Sequence, residues 1–161
     1  MDTMQQDGAR SDRTWTDPEG RLRTRSEEHG LFQVVYAEGE IDCVTATAFG
    51  EHVAALLGPP YRLVLDLQQV TFCDSSGLSA LIFLWKAARA NRGRLVVSRP
   101  SALCRRILRR TGLDERMNVS PTLRQAFARA AGIPAERAIS AWTDDGRRLG
   151  RAGSGAAERV S

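Results

Sequence analysis

The run YRLVLDL at residues 61–67 most constrains how this chain of 161 residues can fold. The run is almost continuously apolar instead of alternating, which is typical of a strand covered on both faces. Such strands lie in the middle of parallel sheets, and parallel neighbours are joined by crossover connections that are usually helices. The run therefore predicts an α/β fold in which helices pack against a mostly parallel sheet.

The segments on either side of this strand alternate between strand and helix patterns. In LFQVVYAEGEID, residues 31–42, two short strands are predicted around a tight turn at Ala37–Gly39, so the domain should open with an antiparallel hairpin. The segment TATAFGEHVAALLG, residues 45–58, places its apolar side chains on one helical face, and a further helix is predicted from Ser76 to Asn91.

The same rules predict the rest of the domain. The remaining elements are a strand at RLVVS, a helix at SALCRRILRRTG capped by Ser101, an edge strand at MNV, and a last helix that begins at Ser120 and Pro121. The order β-β-α-β-α-β-α-β-α indicates a mixed, mostly parallel sheet with an initial antiparallel hairpin and about four helices.

Composition divides the chain into one domain and two arms. Residues 1–29 are polar and charge-mixed and contain the breakers Pro18 and Gly20, so we expect a flexible N-terminal arm. Residues 30–131 carry the periodic pattern and have the length of a single domain. Residues 132–161 are rich in Gly, Ala and Arg, and we expect a flexible C-terminal tail there.

Charge and cysteine content limit the classes of function. The net charge is +4, and Lys86 is the one lysine among 23 basic residues, so acidic protein partners are expected at least as much as nucleic acid. Cys43, Cys73 and Cys104 lack the spacing of a zinc site or a redox pair, which indicates reduced thiols. No apolar run reaches the ~18 residues of a membrane span, and the N-terminus lacks the apolar core of a signal peptide. We therefore expect a cytoplasmic protein that makes no membrane contact.

A small polar cluster, DSSG at residues 74–77, follows the predicted central strand and opens the next helix. Open α/β sheets usually place their sites where such strands end. One interpretation is a helix cap, in which Asp74 or Ser75 accepts hydrogen bonds from the first free amides. A second is a nucleophilic serine, but the GxSxG elbow needs a glycine two residues before the serine, and Cys73 or Asp74 stands there.

A serine enzyme would also need a base, and the chain has two histidines. His29 falls in the predicted arm and His52 on the exterior of a helix, so no catalytic residue is expected. A magnesium site at Asp42, Asp66 and Asp74 is not expected either, because Asp66 falls within a strand, and we predict no metal or cofactor. The third interpretation of DSSG is a covalent switch, in which a partner kinase phosphorylates a serine at an exposed helix start.

Three segments resemble the STAS domain of bacterial anti-sigma factor antagonists over roughly residues 30–130. They are GEID at Gly39–Asp42, LVLDLQQVTFCDSSGLSAL at Leu63–Leu81, and SALCRRILRRTGL at Ser101–Leu113. The resemblance implies a single-domain protein in a partner-switching cascade. There, an anti-sigma factor that is also a serine kinase binds either a sigma factor or the unphosphorylated antagonist. Phosphorylation releases the antagonist, and a phosphatase resets the system.

The resemblance also implies roles for individual residues. Ser75 would be the phosphoacceptor, while Asp74, Ser76 and Gly77 would shape its loop and Asp42 would line the same end of the sheet and contact the kinase. Asp42, Asp74, Ser76 and Gly77 are therefore the predicted partner-binding residues. The implied partners are an anti-sigma factor serine/threonine kinase and a phosphatase, with no direct DNA binding. The alternative is a STAS scaffold or regulatory subunit of a larger signalling or transporter complex.

The helix predicted at SALCRRILRRTG has a strongly basic outer face. Its four arginines, Arg105, Arg106, Arg109 and Arg110, lie opposite the apolar stripe. A charged face of this kind is usually only solvated. The functional alternative is docking to an acidic kinase surface, with association rates that depend on salt.

Overall fold

The structure, a computed structural model, describes residues 13–30 and 32–132 of the chain. The strands are β1 (Arg13–Thr16), β2 (Leu22–Glu28), β3 (Gln33–Ile41), β4 (Arg62–Cys73), β5 (Arg94–Ser98) and β6 (Asn118–Ser120). The helices are α1 (Ala46–Leu56), α2 (Ser75–Ala90), α3 (Ala102–Arg110), α4 (Leu113–Arg116) and α5 (Leu123–Ala131). None of the helices in these ranges is long and apolar enough to cross a membrane.

The six strands form one mixed sheet in the order β1-β2-β3-β4-β5-β6. The first three strands pair antiparallel, and β3 to β6 pair parallel. The predicted fold class, a mixed and mostly parallel α/β sheet that opens with antiparallel strands, is confirmed. The described residues contain five helices where about four were predicted, and the additional one, α4, is a single four-residue turn.

Helices cover both faces of the sheet, as the run YRLVLDL predicts. Leu63, Leu65 and Leu67 of β4 face the larger core cluster, which includes side chains of α1, α2 and α3. Val64 faces the smaller cluster beneath α5, which includes Phe127. The apolar run of β4 is therefore the layer that both halves of the core share.

The expectation of a flexible arm over residues 1–29 is wrong for residues 13–28, which form β1 and β2. Leu22, Thr24 and Ser26 alternate inward along β2 and are at most 3% exposed. Only one of these three side chains is strongly apolar, so the period of two is masked in the sequence. Residues 1–12 and the predicted tail from 133 to 161 lie outside the described residues.

The hairpin predicted within residues 31–42 is also wrong, because β3 runs through the expected turn as one strand. Gly39 lies at a register shift in the pairing with β4, and its φ is +120°. A Cβ at this position would overlap the carbonyl oxygen of Arg21. The glycine therefore marks a bulge and a close approach of two backbones, and not a turn.

Polar side chains form a row across four neighbouring strands. Tyr36, Asp66, Ser98 and Ser120 are paired in register from β3 to β6. Asp66 is 2% exposed and accepts a hydrogen bond from Nε of Arg99 at 2.8 Å. Asp66 thus lies inside a strand, where an arginine neutralises its charge.

Candidate functional site

The site is built where two parallel strands end side by side and a helix begins. β3 ends at Ile41 and β4 at Cys73, and these two residues are paired in register. The backbone N–H of Asp74 then donates to the carbonyl oxygen of Ile41 at 3.4 Å. Only Asp74 separates β4 from α2, so the first turn of this helix is fixed directly to the sheet.

Asp74 is the N-cap of α2, as one interpretation of the DSSG cluster predicts. Its Oδ1 accepts the backbone N–H groups of Ser76 at 2.9 Å and Gly77 at 3.2 Å. Ser75 is the first helical residue and is exposed, while Ser76 is half-buried. The capping task belongs to the aspartate, so the hydroxyl of Ser75 is not needed for it.

Gly77 is buried where α2 approaches the two strand ends most closely. A Cβ at this position would lie 2.6 Å from Sγ of Cys73 and 2.8 Å from the carbonyl oxygen of Ile41. These separations are too short for any larger residue without movement of the backbone. Gly77 therefore determines how tightly the start of α2 packs against the sheet.

Asp42 lies at the same end of the sheet, as predicted, and holds the turn between β3 and α1. Its Oδ1 accepts the N–H groups of Val44 at 2.9 Å and Thr45 at 3.2 Å, and its Oδ2 pairs with Arg21. Burial alone would raise the pKa of the Asp42 carboxyl. The hydrogen bonds from Val44 and Thr45, together with the positive charge of Arg21, outweigh burial and lower this pKa.

Arg21 is a component of the site that the sequence did not reveal. It precedes β2 and pairs with both Asp42 and Glu40, the latter at 2.8 Å. Its segment was assigned to a flexible arm, so no partner for Asp42 was expected there. The available signal was Asp17–Gly20, a turn-forming group that could have indicated a hairpin. In the structure Asp17 closes that turn by accepting the N–H of Leu22 at 2.7 Å.

An open groove lies between α1 and α2 beside the serine pair. Its volume is about 360 Å³, and its lining includes Ser76, Ser79 and Phe83 from α2 and Ala46 and Gly50 from α1. Several of the lining residues are small, and the ring of Phe83 is exposed. A groove of this kind can accept an apolar side chain of another protein.

Exposed large apolar side chains concentrate on the segments around Ser75. Among residues 13–30 and 32–132 they are Val44, Phe72 and Phe83, which are 52%, 45% and 48% exposed. Val44 lies in the turn held by Asp42, Phe72 lies two residues before Asp74, and Phe83 lies in the groove. Apolar exposure confined to such a region is typical of a protein-binding surface.

The described part of the chain does not support the enzyme interpretation. The ring of His52 stacks on Trp15 of β1 with centroids 5.0 Å apart, and His29 directly follows β2, where Nε2 lies 3.0 Å from Glu27. The placement of His29 in a mobile arm is therefore corrected, but neither histidine is recruited to Ser75 by these contacts. Within the described ranges no three His, Cys, Asp or Glu residues are grouped to hold a metal ion.

The basic face of α3 has the predicted orientation. Cys104 and Leu108 are buried beneath the helix, and the four exposed side chains on its outer face are Arg105, Arg106, Arg109 and Arg110. No acidic side chain of the described residues forms an ion pair with these four arginines. Their charge is therefore directed to solvent or to a partner.

Comparison with known proteins agrees with this fold. A family model described as the STAS domain matches residues 23–126, and the chain belongs to this family. A crystal structure of an anti-sigma factor antagonist from Mycobacterium paratuberculosis is similar at 33% identity and a TM-score of 0.62. The alignment covers 72% of this chain and 98% of that one.

Two more distant structures share the fold. The anti-sigma factor antagonist SpoIIAA in its unphosphorylated form matches at 20% identity and a TM-score of 0.58, over 69% of this chain and 98% of its own. An anti-sigma-factor antagonist (STAS) domain protein from Planctomyces limnophilus matches at 22% identity and a TM-score of 0.59, over 67% and 97%. The predicted resemblance to this family is confirmed.

Proposed function

We propose that this protein is an anti-sigma factor antagonist that binds an anti-sigma factor serine kinase through the surface around Ser75. The kinase transfers phosphate from ATP to Ser75, and the phosphorylated protein no longer binds. A phosphatase restores the binding form. The protein itself performs no catalysis, needs no cofactor and acts in the cytoplasm without contacting DNA or membranes.

The observation that carries this proposal is an exposed serine hydroxyl at the first position of a capped helix. Asp74 already satisfies the amides of Ser76 and Gly77, so Ser75 can be modified without loss of the cap. A phosphoserine adds about 1.5 to 2 negative charges, which the positive end of the helix dipole stabilises. The fold therefore tolerates the modification.

The same charge would not be tolerated in the complex. A partner that packs on Phe83 and Val44 buries apolar surface next to Ser75. A phosphate dianion at the edge of this contact must keep its water or find cationic partners, because an unpaired buried charge is strongly unfavourable. Phosphorylation thus opposes binding and leaves the domain folded.

The four residues predicted to bind the partner act here mainly by shaping the surface. Asp42 holds the turn that presents Val44, and Asp74 and Gly77 fix the start of α2. Ser76 is closest to direct contact because it lines the groove beside Phe83. The exposed hydroxyl of Ser75 and the groove together form the proposed kinase-docking surface.

Incubation with the cognate kinase and ATP tests the proposal. We expect one phosphorylated peptide, with the phosphate on Ser75, and we expect Ser75→Ala to bind the kinase whether or not ATP is present. Ser76→Ala is the matched control and should still be phosphorylated and released. Phosphate on Ser76 would contradict the assignment of Ser75. In a pull-down from lysate, capture of a membrane transport complex in place of a kinase would contradict the proposal and favour the scaffold alternative.

A further inference from the structure

A second groove lies at the end of the sheet opposite to Ser75. Its volume is about 410 Å³, and its lining includes Gln33 and Arg62, the first residues of β3 and β4. Asp42 and Asp74 follow the other ends of these two strands. The groove is therefore separated from the kinase-docking surface by the length of β4, and the proposed function makes no use of it.

Apolar side chains form much of the wall of this groove. Phe32 lies in the lining and packs on Phe127 of α5, with ring centroids 5.0 Å apart. The end of α1 and the loop after it supply the other apolar lining residues, which are Leu56, Leu57, Gly58, Pro59 and Pro60. Both leucines are half-buried and both prolines are exposed. The groove thus presents apolar surface that the described residues leave uncovered.

Two arginines place positive charge beside the groove. Arg62 lines it and donates from Nη1 to the carbonyl oxygen of Ala130 at 3.5 Å, and Arg94 donates from Nη1 to the carbonyl oxygen of Arg129 at 3.0 Å. Both guanidinium groups therefore lie at the carbonyl end of α5, where the helix dipole favours positive charge. Within residues 13–30 and 32–132, neither Arg62 nor Arg94 forms an ion pair with a carboxylate. Their charge can attract an acidic segment.

The chain leaves α5 directly beside this groove. Gly132, in the left-handed conformation with a φ of +78°, ends the helix two residues after Ala130, whose carbonyl oxygen contacts Arg62. Residues 133–161 follow and lie outside the described part of the chain. The ten residues from Gly132 to Trp142 span about 15 Å as a helix and about 33 Å when extended. Trp142 is therefore within reach of the groove.

The sequence after α5 matches the groove in apolar character and in charge. Its apolar side chains recur at the spacing i, i+3, i+4 and i+7, which is typical of one helical face, at Ala135, Ala138, Ile139 and Trp142. Two carboxylates, Asp144 and Asp145, follow directly. An apolar stripe that ends in two negative charges is complementary to an apolar wall beside two arginines.

We propose that residues 135–145 bind this groove on their own domain, with Trp142 against the apolar wall and Asp144 and Asp145 at the arginines. The inference goes beyond the proposed function and does not depend on any kinase. The bound segment connects the two helical layers, because Leu57 packs on the larger core cluster and Phe32 belongs to the smaller one. It also assigns a place to part of the tail that composition alone predicts to be flexible.

The decisive measurement is the nuclear Overhauser effect between the indole protons of Trp142 and the methyl groups of Leu56 and Leu57 in the full chain. We expect these contacts, and a mixture of labelled and unlabelled protein should show that they form within one molecule. Contacts between two molecules, or no contacts at all, would overturn the proposal.

Residues 1–12 are the competing occupant within the chain. They join β1 at Arg13, which lines a smaller cavity that shares Glu28, Gln33 and Leu56 with the groove. Their large apolar side chains are Met1 and Met4, and they contain no aromatic residue. Contacts of the methionine methyl groups with Leu56 in place of the indole of Trp142 would also reject the proposed occupant.

Trp142→Ala tests whether the indole is what covers the groove. The amide chemical shifts of Gly30 and Gly58 should change, because both glycines line the groove, while that of Gly112, which follows α3, should not. Leu149→Ala is the matched control for loss of a large apolar side chain elsewhere in the tail, and it should leave all three amides unchanged. Unchanged shifts of Gly30 and Gly58 in Trp142→Ala would contradict the proposal.

Replacing Asp144 and Asp145 together with asparagine tests the contribution of charge. At low salt, the Gly30 and Gly58 amide shifts should move toward their values in Trp142→Ala, because the tail binds less of the time. At about 1 M salt, where charges are screened within about 3 Å, this variant and the parent should have the same shifts. Identical shifts at low salt would refute the role given to the two arginines.

Discussion

Ser75 and Gly77 differ in whether their surroundings can be predicted from the local sequence. The exposure of Ser75 at a capped helix start follows from a local rule, since an aspartate before a helix normally accepts its first amides. The closeness of Gly77 to Cys73 and Ile41 depends on how the helix meets two strands. Sequence reasoning therefore predicted the cap and the exposed serine but not the tight contact beneath them.

Replacement of Gly77 by alanine should destabilise the protein. The added methyl group would collide with Sγ of Cys73 and the carbonyl oxygen of Ile41, and overpacking of this kind costs about 1 to 3 kcal/mol. Chemical denaturation measures the change in the free energy of unfolding. Gly50→Ala is the matched control within a helix, since its nearest neighbour is the side chain of Phe83 at 3.3 Å. Equal unfolding midpoints for the two variants would contradict the prediction.

The carboxyl group of Asp42 should make the stability of the protein depend on acid pH. Its pKa is lower in the folded state than the ordinary value of 3.8, so the folded protein favours the charged form. This contribution is fully present above pH 3.8 and is lost as the pH falls through the lower folded pKa. We expect Asp42→Asn to be less stable than the parent protein at neutral pH. The difference in stability between the two proteins should shrink as the pH falls below 3.8.

Thermal unfolding of both proteins between pH 7 and pH 2 checks this expectation. A difference that stays constant over the whole range would show that the charge of Asp42 is not what stabilises the turn. A difference that grows with acid would reverse the sign of the proposed effect. In either case the pairing with Arg21 would need another explanation.

At the scale of elements, the strands and helices with strong apolar periodicity were predictable and the first two strands were not. β4 carries its own signal in a continuous apolar run. α3 is capped by Ser101 and ends before Gly112, as the serine and the glycine indicate. In β2, the polar residues Thr24 and Ser26 occupy buried positions that face inward. Such residues are buried here by neighbouring strands, which no local pattern reveals.

The basic face of α3 should act on the rate of binding and hardly on stability. Replacing Arg106 and Arg110 with glutamine should leave the free energy of unfolding within about 0.5 kcal/mol, because both side chains are exposed. If an acidic kinase surface is approached by this face, association at low salt should slow by roughly tenfold. Stopped-flow measurements at low and high salt would detect this.

Association rates measured over a range of salt concentrations also test whether the effect of the arginines is electrostatic. The difference between the variant and the parent should disappear at about 1 M salt, where charges are screened within about 3 Å. Arg23→Gln, on the exposed side of β2, is the control for loss of an arginine elsewhere. A solvated face without a docking role would give equal association rates for all three proteins.

At the scale of the whole molecule, the class of fold followed from the sequence but the extent of the domain did not. The sheet includes two strands before residue 30, and the STAS family match itself begins at residue 23. β2 covers one edge of β3 over seven paired residues. The domain therefore begins earlier than composition indicates, because polar strands are recognised only through their partners.

A fragment of residues 30–132 should accordingly be less stable than a fragment of residues 13–132. Removal of β2 takes away the fully buried Leu22, whose burial alone is worth about 1.5 to 3 kcal/mol. It also exposes β3 as a new edge strand, which favours aggregation. Urea denaturation and light scattering compare the two fragments. Identical midpoints would mean that the first two strands add nothing to the domain.

The polar row across β3 to β6 has a consequence for how the chain finds its correct alignment. A slip of one residue is opposed by the apolar pattern, since it turns every side chain to the other face, but a slip of two residues keeps the faces unchanged. A two-residue slip of β5 would place Val96 beside Asp66 in place of Ser98 and would separate the buried carboxylate from Arg99. An unpaired buried charge is costly enough to reject that arrangement. The buried pair of Asp66 and Arg99 therefore favours the correct alignment of β4 and β5 over a two-residue slip. The apolar side chains alone do not distinguish these two alignments.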